Sequence, residues 1–126
     1  MILLDTHVWL WLVDSPQRLP KHWQKKLLEQ DLKLSGISCW ELSLAHSKGR
    51  LQLSIAPETW MLRSLLAYDI EILPITPRIA STATNLPGDF HKDPADRLIV
   101  ATALVHGLSI ATMDTQLRSY GHVKTL

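Results

Sequence analysis

Short apolar runs alternate along the chain with longer amphipathic stretches, a pattern that predicts strand and helix in turn. Ile2-Leu3-Leu4 is a run of the kind that makes a strand buried on both faces, and it ends directly on Asp5-Thr6. Residues 7–13 are too apolar to be exposed and are broken by Asp14-Ser15-Pro16, which predicts a short buried helix. Residues 20–30 set Trp23, Leu27 and Leu28 against Lys21, Lys25, Lys26 and Glu29, an amphipathic helix with a solvated basic face. Residues 32–35 with Ile37 predict a second strand, closed by Gly36 and Ser38. Ser38-Cys39-Trp40-Glu41 then matches the S-x-x-E capping box, so a helix is expected from Ser38 to about Lys48, stopped by Gly49.

Pro57 opens a helix through Trp60, Met61, Leu65 and Leu66 that ends at Tyr68-Asp69. Residues 70–75 predict a third strand whose regular pairing stops before Pro74, and Thr76-Pro77 starts a helix to about Asn85. Residues 86–92 read as a loop through Pro87-Gly88-Asp89. Next, Asp93 suits an N-cap, Pro94 the first helical position and Asp96 the third, while residues 97–106 are apolar nearly all round. Such a helix is expected to be buried. Residues 109–112 predict a fourth strand, and the tail, residues 120–126, a short fifth through His122, Val123 and Thr125.

Alternation of this kind predicts an α/β fold: three layers, α/β/α, around a central parallel sheet of four to five strands with right-handed crossovers. The whole chain, residues 1–126, is expected to form a single domain. In open α/β sheets ligands bind beyond the carboxyl ends of the strands, and Asp5, Glu41 and Asp114 each follow a predicted strand. Asp96 enters from the mouth of the long apolar helix.

Composition narrows the chemistry more than it directs it. A formal net charge of +1 neither demands nor excludes nucleic acid. The lone Cys39 cannot form an intramolecular disulfide, which makes a reducing cytoplasm the simplest home. The apolar start is stopped by Asp5 and lacks the basic flank of a signal peptide, and no run is long enough to span a bilayer, so no membrane is expected. All five glycines stand alone, which excludes a P-loop or dinucleotide fingerprint. Neither a G-x-S-x-G elbow nor a plausible Cys–His pair is present, and the six histidines, scattered along the chain, give no zinc spacing.

What remains is a set of four acids, Asp5, Glu41, Asp96 and Asp114. Singly, each has an ordinary use as cap, turn or solvated loop, and the capping box alone would account for Glu41. Brought together at one end of a sheet, they repel one another and cannot all stay ionised without cations. A hard divalent ion, Mg²⁺ or Mn²⁺, suits such oxygen ligands, and a carboxylate-held ion acts naturally on a phosphodiester. Asp93 is read as helix cap, close enough to the others to be drawn in.

In order along the chain, Leu3-Leu4-Asp5-Thr6-His7-Val8-Trp9-Leu10, Ser38-Cys39-Trp40-Glu41-Leu42 with Gly49-Arg50-Leu51, the stretch from His91 through Asp93-Pro94-Ala95-Asp96-Arg97 to Ala101, and Thr112-Met113-Asp114 together resemble the PIN-domain family, and within it the VapC-type toxins of toxin–antitoxin pairs. The resemblance covers nearly the whole chain. It implies an α/β/α domain with Mg²⁺- or Mn²⁺-dependent ribonuclease activity on RNA, homodimerisation, and inhibition by a cognate antitoxin. Carried over, the family's acidic cluster falls on Asp5, Glu41, Asp96 and Asp114, with Asp5 and Asp96 as direct ligands, Glu41 orienting the attacking water or holding the metal through one, and Asp114 completing the cluster or a second, weaker site. Thr6, Ser38 and Thr112 would hydrogen-bond the carboxylates or a scissile phosphate. Two positions depart from the pattern: Ala95, often aromatic in relatives, and Ala45, where many carry a Lys. Positive charge for an RNA backbone then falls to Lys48, Arg50, Lys92 and Arg97, although Arg97 has a competing structural use as a partner of Asp93 or of a neighbouring helix.

Two other functions fit the same residues: a non-catalytic RNA- or protein-binding module of the same fold, and a phosphatase forming an aspartyl-phosphate on Asp5. The tryptophans Trp9, Trp11, Trp23, Trp40 and Trp60 are expected mostly in the core, with one or two left to anchor a partner.

Overall fold

Four short strands, β1 (Ile2–Leu4), β2 (Leu32–Ser35), β3 (Glu71–Leu73) and β4 (Ser109–Ala111), pair in parallel in the spatial order β3-β2-β1-β4 in the computed structural model, which describes residues 1–91 and 93–126. Leu4 lies opposite both Leu34 and Ala111, so the three strands end level and deliver Asp5, Ser35 and Thr112 to one edge. Strand order reverses between β1 and β4, and the crevice at such a reversal is where open α/β sheets place their ligands.

Helices α1 (Thr6–Asp14), α2 (Lys21–Leu28), α3 (Gly36–Ser47) and α4 (Pro57–Ala67) supply one apolar layer, with a 3₁₀ turn (Pro16–Arg18) between the first two. Helices α5 (Pro77–Thr84), α6 (Pro94–His106) and α7 (Thr115–Ser119) supply the other. The sheet is sandwiched because its side chains alternate: Ile2 and Leu4 join Trp9, Trp23, Leu27 and Trp60, whereas Leu3 points to Ile79, Ile99, Val100 and Leu117. Trp9 is fully enclosed, and its indole N–H donates to Ser64 Oγ at 3.0 Å, so the large ring is buried without stranding its polar edge. The apolar helix α6 is buried as its composition predicts, with Asp93 as N-cap and Gly107, at φ 67°, as the left-handed stop. No helix among the described residues is long and apolar enough to cross a membrane.

Two expectations give way, and one helix is new. Helix α3 starts at Gly36, not Ser38, because Ser35 both closes β2 and caps the helix, its Oγ accepting from the Ile37 N–H at 3.3 Å. Ile37 is therefore helical, and Ser38 and Glu41 lie inside the helix rather than forming a capping box. The fifth strand shrinks to a bridge between Ile110 and Thr125. Ile110 still exchanges hydrogen bonds of 2.9 Å with Lys124 and Leu126, but the turn before them leaves too little chain for a ladder. Finally, Asp114 opens α7, a five-residue helix that the tail's polarity hid.

Candidate active site

Asp5 is the N-cap of α1, placed there by the end of β1. Its Oδ1 accepts from the Thr6 N–H and its Oδ2 from the Thr112 hydroxyl, both at 2.8 Å. Only 5% of the residue is exposed, and burial pushes its carboxyl above the ordinary carboxylate range against the pull of Thr112; Asp114 adds a smaller upward push. Thr112, completely buried beyond β4, also accepts from the Asp114 N–H at 3.0 Å, so one hydroxyl ties the ends of β1 and β4 together.

Glu41 reaches the same place from α3. Freed from any capping duty, its Oε1 accepts from the Thr6 hydroxyl at 2.6 Å, and the Thr6 and Ser38 hydroxyls lie 2.8 Å apart. Thr6 has one proton to give, so Ser38 supplies the other and the chain runs Ser38 to Thr6 to Glu41. Burial raises the Glu41 carboxyl, with Asp5 and Asp93 adding to the rise.

Asp96 stands in the first turn of α6. Burial, followed by the charges of Asp93, Asp5, Glu41 and Asp114, lifts its pKa from 3.8 to about 7. The other three members of the quartet all act on this one group, with Asp93 beside them, which is the electrostatic sign that they face one place. His91 brings its Nε2 to 3.1 Å from Asp96 Oδ2 without the alignment of a hydrogen bond, leaving that buried nitrogen otherwise unpartnered among the described residues. In sequence His91 is one of six scattered histidines, and its nearness to Asp96 in the chain is the one signal of its place.

Asp93 and Asp114 are both occupied as caps, Asp93 Oδ1 accepting from Ala95 and Asp96 N–H and Asp114 Oδ1 from Gln116 and Leu117 N–H. Arg97 takes the structural use, pairing with the neighbouring helix α5 and not with Asp93. Its Nε donates to the Ala83 carbonyl at 2.8 Å and one Nη to those of Phe90 and His91, which pins the loop carrying His91 against α5. The RNA-backbone role expected of Lys92 lies outside the described residues.

Among the described residues no three His, Cys, Asp or Glu side chains close on a common point tightly enough to enclose an ion by themselves. Hard oxygen donors that raise one another's pKa still suit Mg²⁺ or Mn²⁺, because these ions use one or two carboxylates and fill their shells with water and substrate oxygens. An aspartyl-phosphate on Asp5 suits the site poorly, since the carboxyl is enclosed and a phosphoryl group needs far more room than an ion reached through a remaining lone pair.

Comparison with known proteins agrees with this layout. The chain matches the PIN domain over residues 2–123. Ribonuclease VapC22 of Mycobacterium tuberculosis is 41% identical over 122 residues, 96% of this chain and 92% of that protein. A chain of a toxin–antitoxin complex from Klebsiella pneumoniae superposes with a TM-score of 0.67 at 22% identity, over 99% of this chain and 97% of that one, a likeness of fold. FitAcB from Neisseria gonorrhoeae superposes with a TM-score of 0.65 at 29% identity, over 100% and 96% of the two chains.

Proposed function

This chain belongs to the PIN-domain family, and from that premise we propose that it is a Mg²⁺- or Mn²⁺-dependent endoribonuclease acting as the toxin of a toxin–antitoxin pair. The observation that carries the reading is the convergence on Asp96 of acids from three other segments, Asp5 after β1, Glu41 on α3 and Asp114 after β4, which with burial and Asp93 raise its pKa to about 7. Asp5 and Asp96 would hold the ion directly, with Glu41 and Asp114 reaching it through water. When bound, the ion supplies positive charge to the crowded carboxylates and to the phosphate, and acidifies a bound water.

The chain's own residues divide the remaining work. Thr112 orients Asp5 and favours its ionised form by donating to its Oδ2. Thr6 fixes Glu41 as the carboxylate that accepts a proton from the attacking water, a role its raised pKa suits. Water attacks phosphorus, the bond to the 3′-oxygen breaks, and the products are a 5′-phosphate and a 3′-hydroxyl. Arg97 keeps the His91 loop in place beside Asp96. The kinship with VapC-type proteins extends the proposal to a cognate antitoxin, to a homodimer and to action in the cytoplasm.

Cleavage of an RNA pool by the purified protein tests the reading. Activity is expected with Mg²⁺ or Mn²⁺, none in EDTA, and a fall of at least about 100-fold in Asp5→Asn and Asp96→Asn with unchanged circular dichroism. Undiminished cleavage by Asp96→Asn, or in EDTA, would overturn it.

A further inference from the structure

A groove of about 790 Å³ opens beside the acids and shares Thr6 and Glu41 with them. Its wall also carries Trp11, Trp40 and three cations, Arg18, Lys48 and Arg50, a local concentration of positive charge in a chain whose net charge is +1. The two indoles differ. Trp11 is claimed within the fold, with the Arg18 guanidinium 4.3 Å over its ring and the His7 ring at 6.0 Å. Trp40 remains 57% exposed, and among the described residues neither an aromatic ring nor a guanidinium stacks on it. Trp9, Trp23 and Trp60, at 0%, 4% and 5% exposure, show how thoroughly this fold buries an indole elsewhere.

An open indole therefore precedes Glu41 directly on α3, in a groove lined by cations. Single-stranded nucleic acid is held by this combination, aromatic faces taking bases and cations taking the backbone. We propose that Trp40 is the stacking platform for the nucleobase adjoining the cleaved phosphodiester of a single-stranded RNA, with Lys48, Arg50 and Arg18 carrying the phosphates of the strand in the groove. The proposal rests on the ribonuclease reading and adds the residue that positions the substrate. Because every base has a π-face, Trp40 grips without reading sequence, and a purine, having the larger face, is preferred there.

The test uses 12-nucleotide single-stranded RNAs, intact or with one abasic position moved along the strand. Affinity is measured by anisotropy in EDTA and turnover in Mg²⁺, for the wild type, Trp40→Ala and Trp40→Phe. Trp40→Ala is expected to weaken binding and raise KM by about 5- to 100-fold with kcat within about threefold, and Trp40→Phe to recover most of the loss. In the wild type one abasic position should cost the same factor, and in Trp40→Ala that position should cost nothing. Lys48→Gln and Arg50→Gln should each flatten the salt dependence of binding by about 0.7 in log–log slope. Wild-type KM and affinity in Trp40→Ala, or an abasic penalty that persists in it, overturns the proposal. So does a loss confined to a protein partner with RNA kinetics intact, which would assign the groove to that partner. Abasic-sensitive, Trp40-dependent binding without cleavage by the wild type supports the platform and overturns the ribonuclease reading beneath it.

Discussion

Replacing Asp96 with Asn should make the ion-free protein more stable while abolishing its activity, and the gain should depend on pH. Asp96 binds its proton more tightly in the folded chain, at a pKa of about 7, than at its ordinary 3.8. Its contribution to stability is therefore fully present below 3.8, declines as pH rises, and is entirely lost above about 7. The gap from 3.8 to about 7 corresponds to at most about 4 kcal/mol. The group is partly open to solvent, which screens the neighbouring charges and reduces this to about 2 kcal/mol. Asn carries no charge at any pH, so Asp96→Asn recovers the full amount at pH 8 and about a third of it at pH 5. For 126 residues, at about 2.1 cal/mol/K of unfolding entropy each, 2 kcal/mol raises Tm by about 8 °C. Calorimetry in EDTA at pH 5 and pH 8 measures both values. Saturating Mg²⁺ should then stabilise the wild type and leave Asp96→Asn nearly unmoved, since only a ligand held by the folded state shifts the equilibrium. A variant no more stable than the wild type at pH 8, or a gain equal at the two pH values, would refute the crowding argument.

Thr112→Val removes the hydroxyl that serves both Asp5 and the Asp114 N–H in a fully buried position, and should cost about 2 kcal/mol in urea unfolding while lowering cleavage more than tenfold. Wild-type activity in that variant would show that Asp5 needs no such anchor. Arg97→Ala frees the Ala83 carbonyl of α5 and the two loop carbonyls of Phe90 and His91; hydrogen exchange at Phe90 and His91 should quicken at least tenfold, with stability lower by about 2 kcal/mol. Unchanged exchange there would mean that the loop is held by its other contacts.

Elements whose ends are marked by their own residues were legible in the sequence. Asp93, Pro94 and Gly107 bracket α6 through a side-chain cap, a fixed φ and a left-handed stop, each a property of one residue and its immediate neighbours. Ile2-Leu3-Leu4 announces a strand buried on both sides, and the register that levels Leu4 with Leu34 and Ala111 brings Asp5 and Thr112 to one edge as the alternation of elements implied. Local signals misled where two of them overlapped. Ser35 and Ser38 both qualify as caps, and the contact of Gly36 with the Leu73 carbonyl, 3.7 Å from where a Cβ would sit, belongs to a neighbouring strand.

The identities of the acids, their order and the strand ends that carry Asp5 and Asp114 were thus determined by the sequence itself, because caps, turns and hydrophobic period act over a few residues. Only the tertiary structure decided what each group does. It turned Glu41 from a helix cap into a partner of Thr6, spent Arg97 on carbonyls of α5 and of the loop before α6, left Trp40 open, and raised Asp96 to about 7. Burial and charge act through space, and neither is a property of residues read one after another along the chain.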